Sequence, residues 1–279
     1  KNNRQCEVLL HFAEWICTMA YMQGKAYPHK ELEEIWKEVL LYQFHDILPG
    51  SSIHRVYEEC NARYEIIKKR LNDIIDDCVY FLCSDDNSFV ALNSINFERT
   101  GYLKHNNEWY RYSLAPYSSG KLEKADLPAS LHFSNNVIEN EHLKVVFNNM
   151  GQIEKIVDKP NNYNCVSSSF NAVRIYKDRF VHPYNAWDID INYTKHKPRD
   201  MKLVQSREYC DGNSVVRENK FVYNSSSLVQ RIILTEKCPY IKVENEVDWH
   251  ETHKMLRIDA YPKNFNEKVL CDIQFGNIQ

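Results

Sequence analysis

The apolar residues change their spacing once, near residue 84, and that change limits the fold more than any other feature of the chain. Before it they recur every three or four positions. Leu9, Phe12, Ala13, Ile16, Cys17, Met19 and Ala20 form the first such stripe, as in a helix with one buried face. Gly24 and Pro28 close it, and Leu32, Ile35, Trp36, Val39, Leu40 and Leu41 form a second. Glu31, Glu33 and Glu34 lie where acidic groups favour a helix start. After Pro49-Gly50 a third stripe runs through Ile53, Val56, Tyr57, Cys60, Tyr64, Ile67, Leu71, Ile74, Ile75 and Cys78. Ser51 or Ser52 is its expected cap. The spacing predicts helices over 4–24, over 29–44 and from the cap onward, joined as a three-helix bundle.

Beyond Ser84-Asp85-Asp86-Asn87, short runs rich in β-branched and aromatic residues alternate with Asn, Gly, Ser and Pro clusters. Expected strands fall at 89–92, 109–114, 143–147, 153–157, 173–176, 214–223, 228–234, 241–249 and 255–260. Asn148-Asn149-Met150-Gly151 is the expected turn of a hairpin. Strands in this density without intervening helices predict an antiparallel sandwich rather than a parallel α/β sheet. The expected class is α+β and multidomain: a three-helix bundle at 1–84, a small β segment or linker at 85–128, and a β-sandwich at 129–279.

A formal net charge of −3 with 26% charged residues gives no electrostatic reason to expect nucleic acid or an anionic membrane as partner. No apolar run reaches the roughly 18 residues that span a bilayer, and Lys1-Asn2-Asn3-Arg4 opens a charged helical pattern instead of a signal peptide. The nine cysteines include no Cys-x-x-Cys. Cys6, Cys17, Cys60 and Cys78 sit on the helical stripes as small apolar residues. That usage predicts a reducing compartment, the cytoplasm.

The polar pair His45-Asp46 lies between the second and third stripes. On spacing alone it reads as a satisfied polar turn, because one His and one Asp make neither a metal site nor an acid/base couple. The longer stretch Gln43-Phe44-His45-Asp46-Ile47-Leu48-Pro49-Gly50-Ser51-Ser52-Ile53 closely resembles a segment in the helical domain of the zinc-dependent α-mannosidases, glycoside hydrolase family 38, in their cytosolic and bacterial branch. The resemblance implies that His45 ligates zinc and that Asp46 bonds the bound sugar. A second stretch, Tyr184-Asn185-Ala186-Trp187-Asp188, resembles the family's Trp-Asp-Ala-Trp-Asp segment, with Tyr184-Asn185 replacing the first Trp-Asp. It implies Tyr184, Trp187 and Asp188 at the rim of the sugar site. A strand with Trp187 in the core fits the same residues. Asp188 and Asp190 would then share a wet strand face, not form a glycosidase couple. Trp249-His250-Glu251-Thr252-His253 has its two His three apart between expected strands, against the four apart on a helix of a zinc protease.

By the same resemblance, intact members begin with a catalytic α/β barrel that supplies the Asp nucleophile and three of four zinc ligands. The chain is therefore expected to hold no nucleophile, to bind no zinc tightly alone and to be inactive alone. In the intact enzyme it would serve retaining hydrolysis of α-linked mannose. Implied partners are an α-mannoside or oligomannose substrate and the N-terminal catalytic domain. Apolar surface left uncovered would favour a homo-oligomer. A carbohydrate-binding module using Trp187, or a purely structural bundle-plus-sandwich fragment, are the other readings.

Overall fold

Each apolar stripe folds as a helix. In the computed structural model, which describes residues 1–83, 90–125, 131–178, 187–273 and 275–278, α1 spans Asn2–Met22, α2 His29–Tyr42 and α3 His54–Leu82. The stripes meet in one core. Leu10, Ala13, Ile16 and Ala20 from α1, Leu32, Ile35 and Val39 from α2, and Tyr64, Ile67 and Leu71 from α3 are all buried there. Gly24, just past the end of α1, lies in the left-handed region (φ +98°), which is open to glycine without a steric penalty.

Two expectations about helix ends are corrected. The second helix stops at Tyr42, two residues short of the predicted end. Neither serine caps α3: its N-cap is Ile53 and no side chain caps it. The Ser52 N–H points instead to Asp46 O at 2.9 Å and to the Tyr57 hydroxyl at 2.9 Å.

The chain divides into two compact units, Lys1–Ala125 and Asp126–Gln279. The first also holds two small antiparallel sheets. One pairs Val90–Asn93 with Ser118–Lys121, and the other runs Arg99–His105, Glu108–Leu114, Glu123–Lys124. Leu92 packs against the helical core, and the His11 ring bonds Ser94 O at 3.0 Å.

The second unit is built from antiparallel sheets. A five-stranded one has the order Tyr163–Asn164, Ile153–Asp158, Leu143–Phe147, Val137–Glu139, His132–Ser134. A four-stranded one runs Lys202–Asp211, Ser214–Tyr223, Ser226–Thr235, Lys242–Asp248, and a three-stranded one Arg199–Asp200, Ala172–Lys177, Lys254–Asp259. The expected hairpin at 148–151 is present, with Gly151 at φ +74° and the Asn148 side chain accepting from the N–H of Met150 and Gln152. Ser226–Thr235 shows why the sheets stack. Ser226, Leu228, Gln230, Ile232 and Leu234 alternate inward and are all buried, the period of a strand with one covered face. Ile232 and Leu234 join Val145, Phe147 and Ile153 of the five-stranded sheet. Leu228 joins Val173 and Ile175 of the three-stranded sheet. Between these clusters lies Gln230, fully buried, which accepts from Asn171 at 2.7 Å and donates to Asn245 at 2.9 Å. A buried amide without such partners would cost about 1–3 kcal/mol, so the sheets are specified here as well as packed.

Candidate functional site

The residues between α2 and α3 form a compact turn rather than a continued helix. Ile47 and Leu48 N–H both bond Phe44 O, at 2.8 and 3.2 Å, and Gly50 takes φ +98°, out of reach for most L-residues. Asp46 is the hub. Its carbonyl accepts from Ser52 N–H and from the Tyr57 hydroxyl, the latter at 3.1 Å, and its side chain lies 3.4 Å from the Ser51 hydroxyl. Tyr57 thus bridges the turn to the first turn of α3. The sequence reading placed Tyr57 only in the apolar stripe. Its hydroxyl, at the start of the third stripe and eleven residues past Asp46, was the available signal.

His45 stands out from the turn with 72% of its side chain exposed, and its Nε2 lies 3.8 Å from Asp46 Oδ1. The Phe44 ring packs beside the imidazole at 4.2 Å between centroids. Leu40, Leu41, Phe44, Leu48 and Ile53 are exposed around the same turn. An open histidine beside a half-buried carboxylate, ringed by uncovered apolar side chains, forms a surface suited to contact with another body.

A tetrahedral zinc site takes about four donors. Among the described residues no three His, Cys, Asp or Glu side chains are grouped to hold a metal ion. His45 offers one donor, so these residues do not make a zinc site by themselves.

The second candidate stretch is less regular than predicted. Tyr184 lies outside the described residues. Trp187 is 66% exposed, which removes the reading that buries it. Residues 187–190 form no strand; the segment leads into a 3₁₀ helix, Ile191–Lys195, whose first turn Asp190 caps by accepting from Asn192 N–H at 2.8 Å. Asp188 and Asp190 therefore do not share a strand face. Tyr193 in this short helix accepts a hydrogen bond from Arg257 at 2.5 Å, and the guanidinium also sits over the Tyr176 ring. Trp187 and His45 belong to different units.

His250 and His253 lie on the loop between Lys242–Asp248 and Lys254–Asp259. His250 pairs with Asp248 at 2.8 Å, and Glu251 accepts from Asn224 and Ser226. His253 takes φ +51°. These are local contacts of a strand connection.

No helix among the described residues is long and apolar enough to cross a membrane. Comparison with known proteins places these features. Residues 1–82 match the alpha mannosidase middle domain, and residues 138–279 match the glycosyl hydrolases family 38 C-terminal domain. Human alpha-mannosidase 2C1 is 24% identical over the whole chain, which covers 29% of that protein. A yeast alpha-mannosidase, from Saccharomyces cerevisiae, is 27% identical over 98% of the chain and 26% of its own length. The chain thus spans less than a third of the curated relatives it matches. The crystal structure of an alpha-mannosidase from Enterococcus faecalis shares the fold with a TM-score of 0.69 at 14% identity, over 92% of this chain and 42% of that one. Bundle, strand-rich unit and both domain matches fall in one order along the sequence, and the chain belongs to glycosyl hydrolase family 38.

Proposed function

We propose that this chain is the middle and C-terminal part of a zinc-dependent, retaining α-mannosidase, and that it acts on α-linked mannose only together with a catalytic domain outside it. The observation that carries this reading is the turn between α2 and α3. It lies inside the matched middle domain and presents an exposed His45 beside a half-buried Asp46 within a ring of exposed apolar residues. In this reading His45 supplies one zinc donor, and the metal would polarise and hold vicinal hydroxyls of the sugar. Asp46 accepts a hydrogen bond from a mannose hydroxyl, with its backbone held by Tyr57. Trp187 and Asp188 carry an aromatic face and a carboxylate, the chemistry suited to a pyranose, and are proposed as further sugar contacts. The apolar ring around His45 would be covered by the catalytic domain. The compartment proposed is the cytoplasm.

The test is α-mannosidase activity and bound zinc, measured for the chain alone and mixed with the N-terminal portion of the enzyme. Activity and zinc are expected only in the mixture. His45→Ala is expected to lower that activity by more than about 100-fold with the bundle still folded. Activity or stoichiometric zinc in the chain alone would overturn the reading.

A further inference from the structure

A cleft of about 460 Å³ opens in the second unit, away from every residue assigned above. Its size lies within the range of about 300–1,000 Å³ typical of small-molecule sites. Ile156, Phe170 and Ile241 pack against the core and line it. Asp158, Asn161 and Tyr240 line it as well. Strand alternation fixes where Asp158 points. It pairs with buried Leu143, and Ile156 pairs with buried Val145, so Ile156 and Asp158 share the inward face. Asp158 therefore sets a carboxylate at the margin of an apolar floor. Asn161 donates to its Oδ2 at 2.7 Å. Tyr240 is 66% exposed beside it.

The walls are held in place from behind. Asn140 is 1% exposed and uses both ends of its amide. Its NH₂ donates to Thr235 O at 2.7 Å and Cys238 O at 2.9 Å, on the loop leading to Tyr240. Its Oδ1 accepts from the N–H of His142 and Leu143, on the opposite wall. Lys159 Nζ closes onto Asn140 O at 2.8 Å, and Lys159 N–H onto His142 O at 2.9 Å. One buried amide thus joins the loops that flank the cleft, which is the preorganisation a binding site needs.

We propose that this cleft binds a hexopyranose unit of a mannose-containing glycan, as an accessory site separate from the His45 turn. A pyranose has an apolar face and a rim of hydroxyls. Tyr240 offers a ring to the face, Asp158 accepts from two hydroxyls, and Asn161 both donates and accepts. The choice of mannose rests on the function proposed above; the chemistry of the cleft does not depend on zinc.

The test is titration of methyl α-mannoside into the 279-residue chain with EDTA present, followed by NMR. A dissociation constant of about 1–10 mM is expected for one sugar on a site this open. Tyr240→Ala and Asp158→Asn should each weaken it about tenfold; Tyr240→Phe, which keeps the ring, should bind nearly as well as the parent. Tyr240 is exposed, so its replacement leaves the fold in place, and circular dichroism verifies this. No saturable binding up to about 100 mM, or binding unchanged by both substitutions, would overturn the proposal. Binding lost in His45→Ala but kept in Tyr240→Ala would also overturn it. Binding that survives His45→Ala supports it, even if the activity test for the mixture fails.

Discussion

The helical bundle and the strand-rich unit reach stability by different routes. The buried core of the bundle consists of aliphatic side chains, thiols and Tyr64. The strand-rich unit buries Arg217, Asn219, Gln230, Asn171, Asn140 and Asp259 as well. Helices satisfy their own backbone, so their faces need only be apolar and of the right shape. Sheets must also choose a register, and a one-residue slip turns every side chain to the other face. Arg217 illustrates the device. Its Nε donates to Asn219 Oδ1 at 2.8 Å, and its terminal nitrogen donates to Asn136 Oδ1 at 3.0 Å and to the Glu208 carboxylate, while the guanidinium lies over the Phe147 ring. Asn219 in turn donates to Gly151 O at 3.0 Å in the hairpin. Only one alignment of these strands satisfies all four partners.

The largest effect should come from breaking that set. Arg217→Ala empties a buried site and leaves the half-buried Glu208 carboxylate with the Asn136 N–H but no cation, and is expected to cost about 3–5 kcal/mol. Urea unfolding should show the loss in the strand-rich unit alone, with far-UV helical signal retained to higher denaturant. Next is a cavity in the bundle. Ile67→Ala, at a fully buried position, should cost about 2–5 kcal/mol, with Ile67→Val much milder. If apolar volume governs the bundle, cost there will track volume removed, whereas Arg217→Met, nearly equal in volume, should still be costly.

A smaller effect is expected at the turn. Tyr57→Phe removes the hydroxyl shared by Ser52 and Asp46 and should cost about 1 kcal/mol, with faster hydrogen exchange at Ser52 as the readout. The smallest is electrostatic. Hydrogen bonds from Arg63 hold the Glu38 carboxyl below its ordinary range. Its pKa is lower folded than unfolded, so this contribution is full above the unfolded value and is lost as pH falls through the folded one. Glu38→Gln should therefore lower the bundle's stability at neutral pH, where the contribution is full, change it little below the folded pKa, and so flatten the acid limb between. In the other unit, burial raises the Glu218 carboxyl but hydrogen bonds from Arg207 and Arg231 outweigh it, and its net shift has the same sign. Glu218→Gln should act likewise there.

The same contrast explains what could be read beforehand. The helices were legible because Ile16, Ile35 and Ile67 each belong to a stripe that repeats at helical spacing within its own segment. Ser226–Thr235 was legible because it alternates. Lys202–Asp211 was not: it is an edge strand with mostly exposed side chains, so no apolar period marks it. Nor was the role of Arg217, whose partner Asn136 lies 81 residues away. His45 and Asp46 stood out through a contiguous motif. The cleft at Tyr240 did not, because Asp158 and Tyr240, which both line it, come from distant parts of the sequence. Ser51 and Ser52 misled because the helix begins after Ile53, while both serines belong to the turn: the Ser52 N–H goes to Asp46 O and the Tyr57 hydroxyl, and the Ser51 hydroxyl faces Asp46.

Tyr57 has a last consequence. The turn carrying Asp46 is fastened to the helix that follows it, so its position is an output of how that helix is rotated and slid. Rotation and slide are fixed far away, by Cys60, Tyr64, Ile67, Leu71 and Cys78 seated in the core. One residue of slippage moves a helix by about 1.5 Å and 100°, and displacements near 1 Å are enough to impair chemistry. Seen this way α3 is a 29-residue gauge, and substitutions near its far end can detune the turn without touching it.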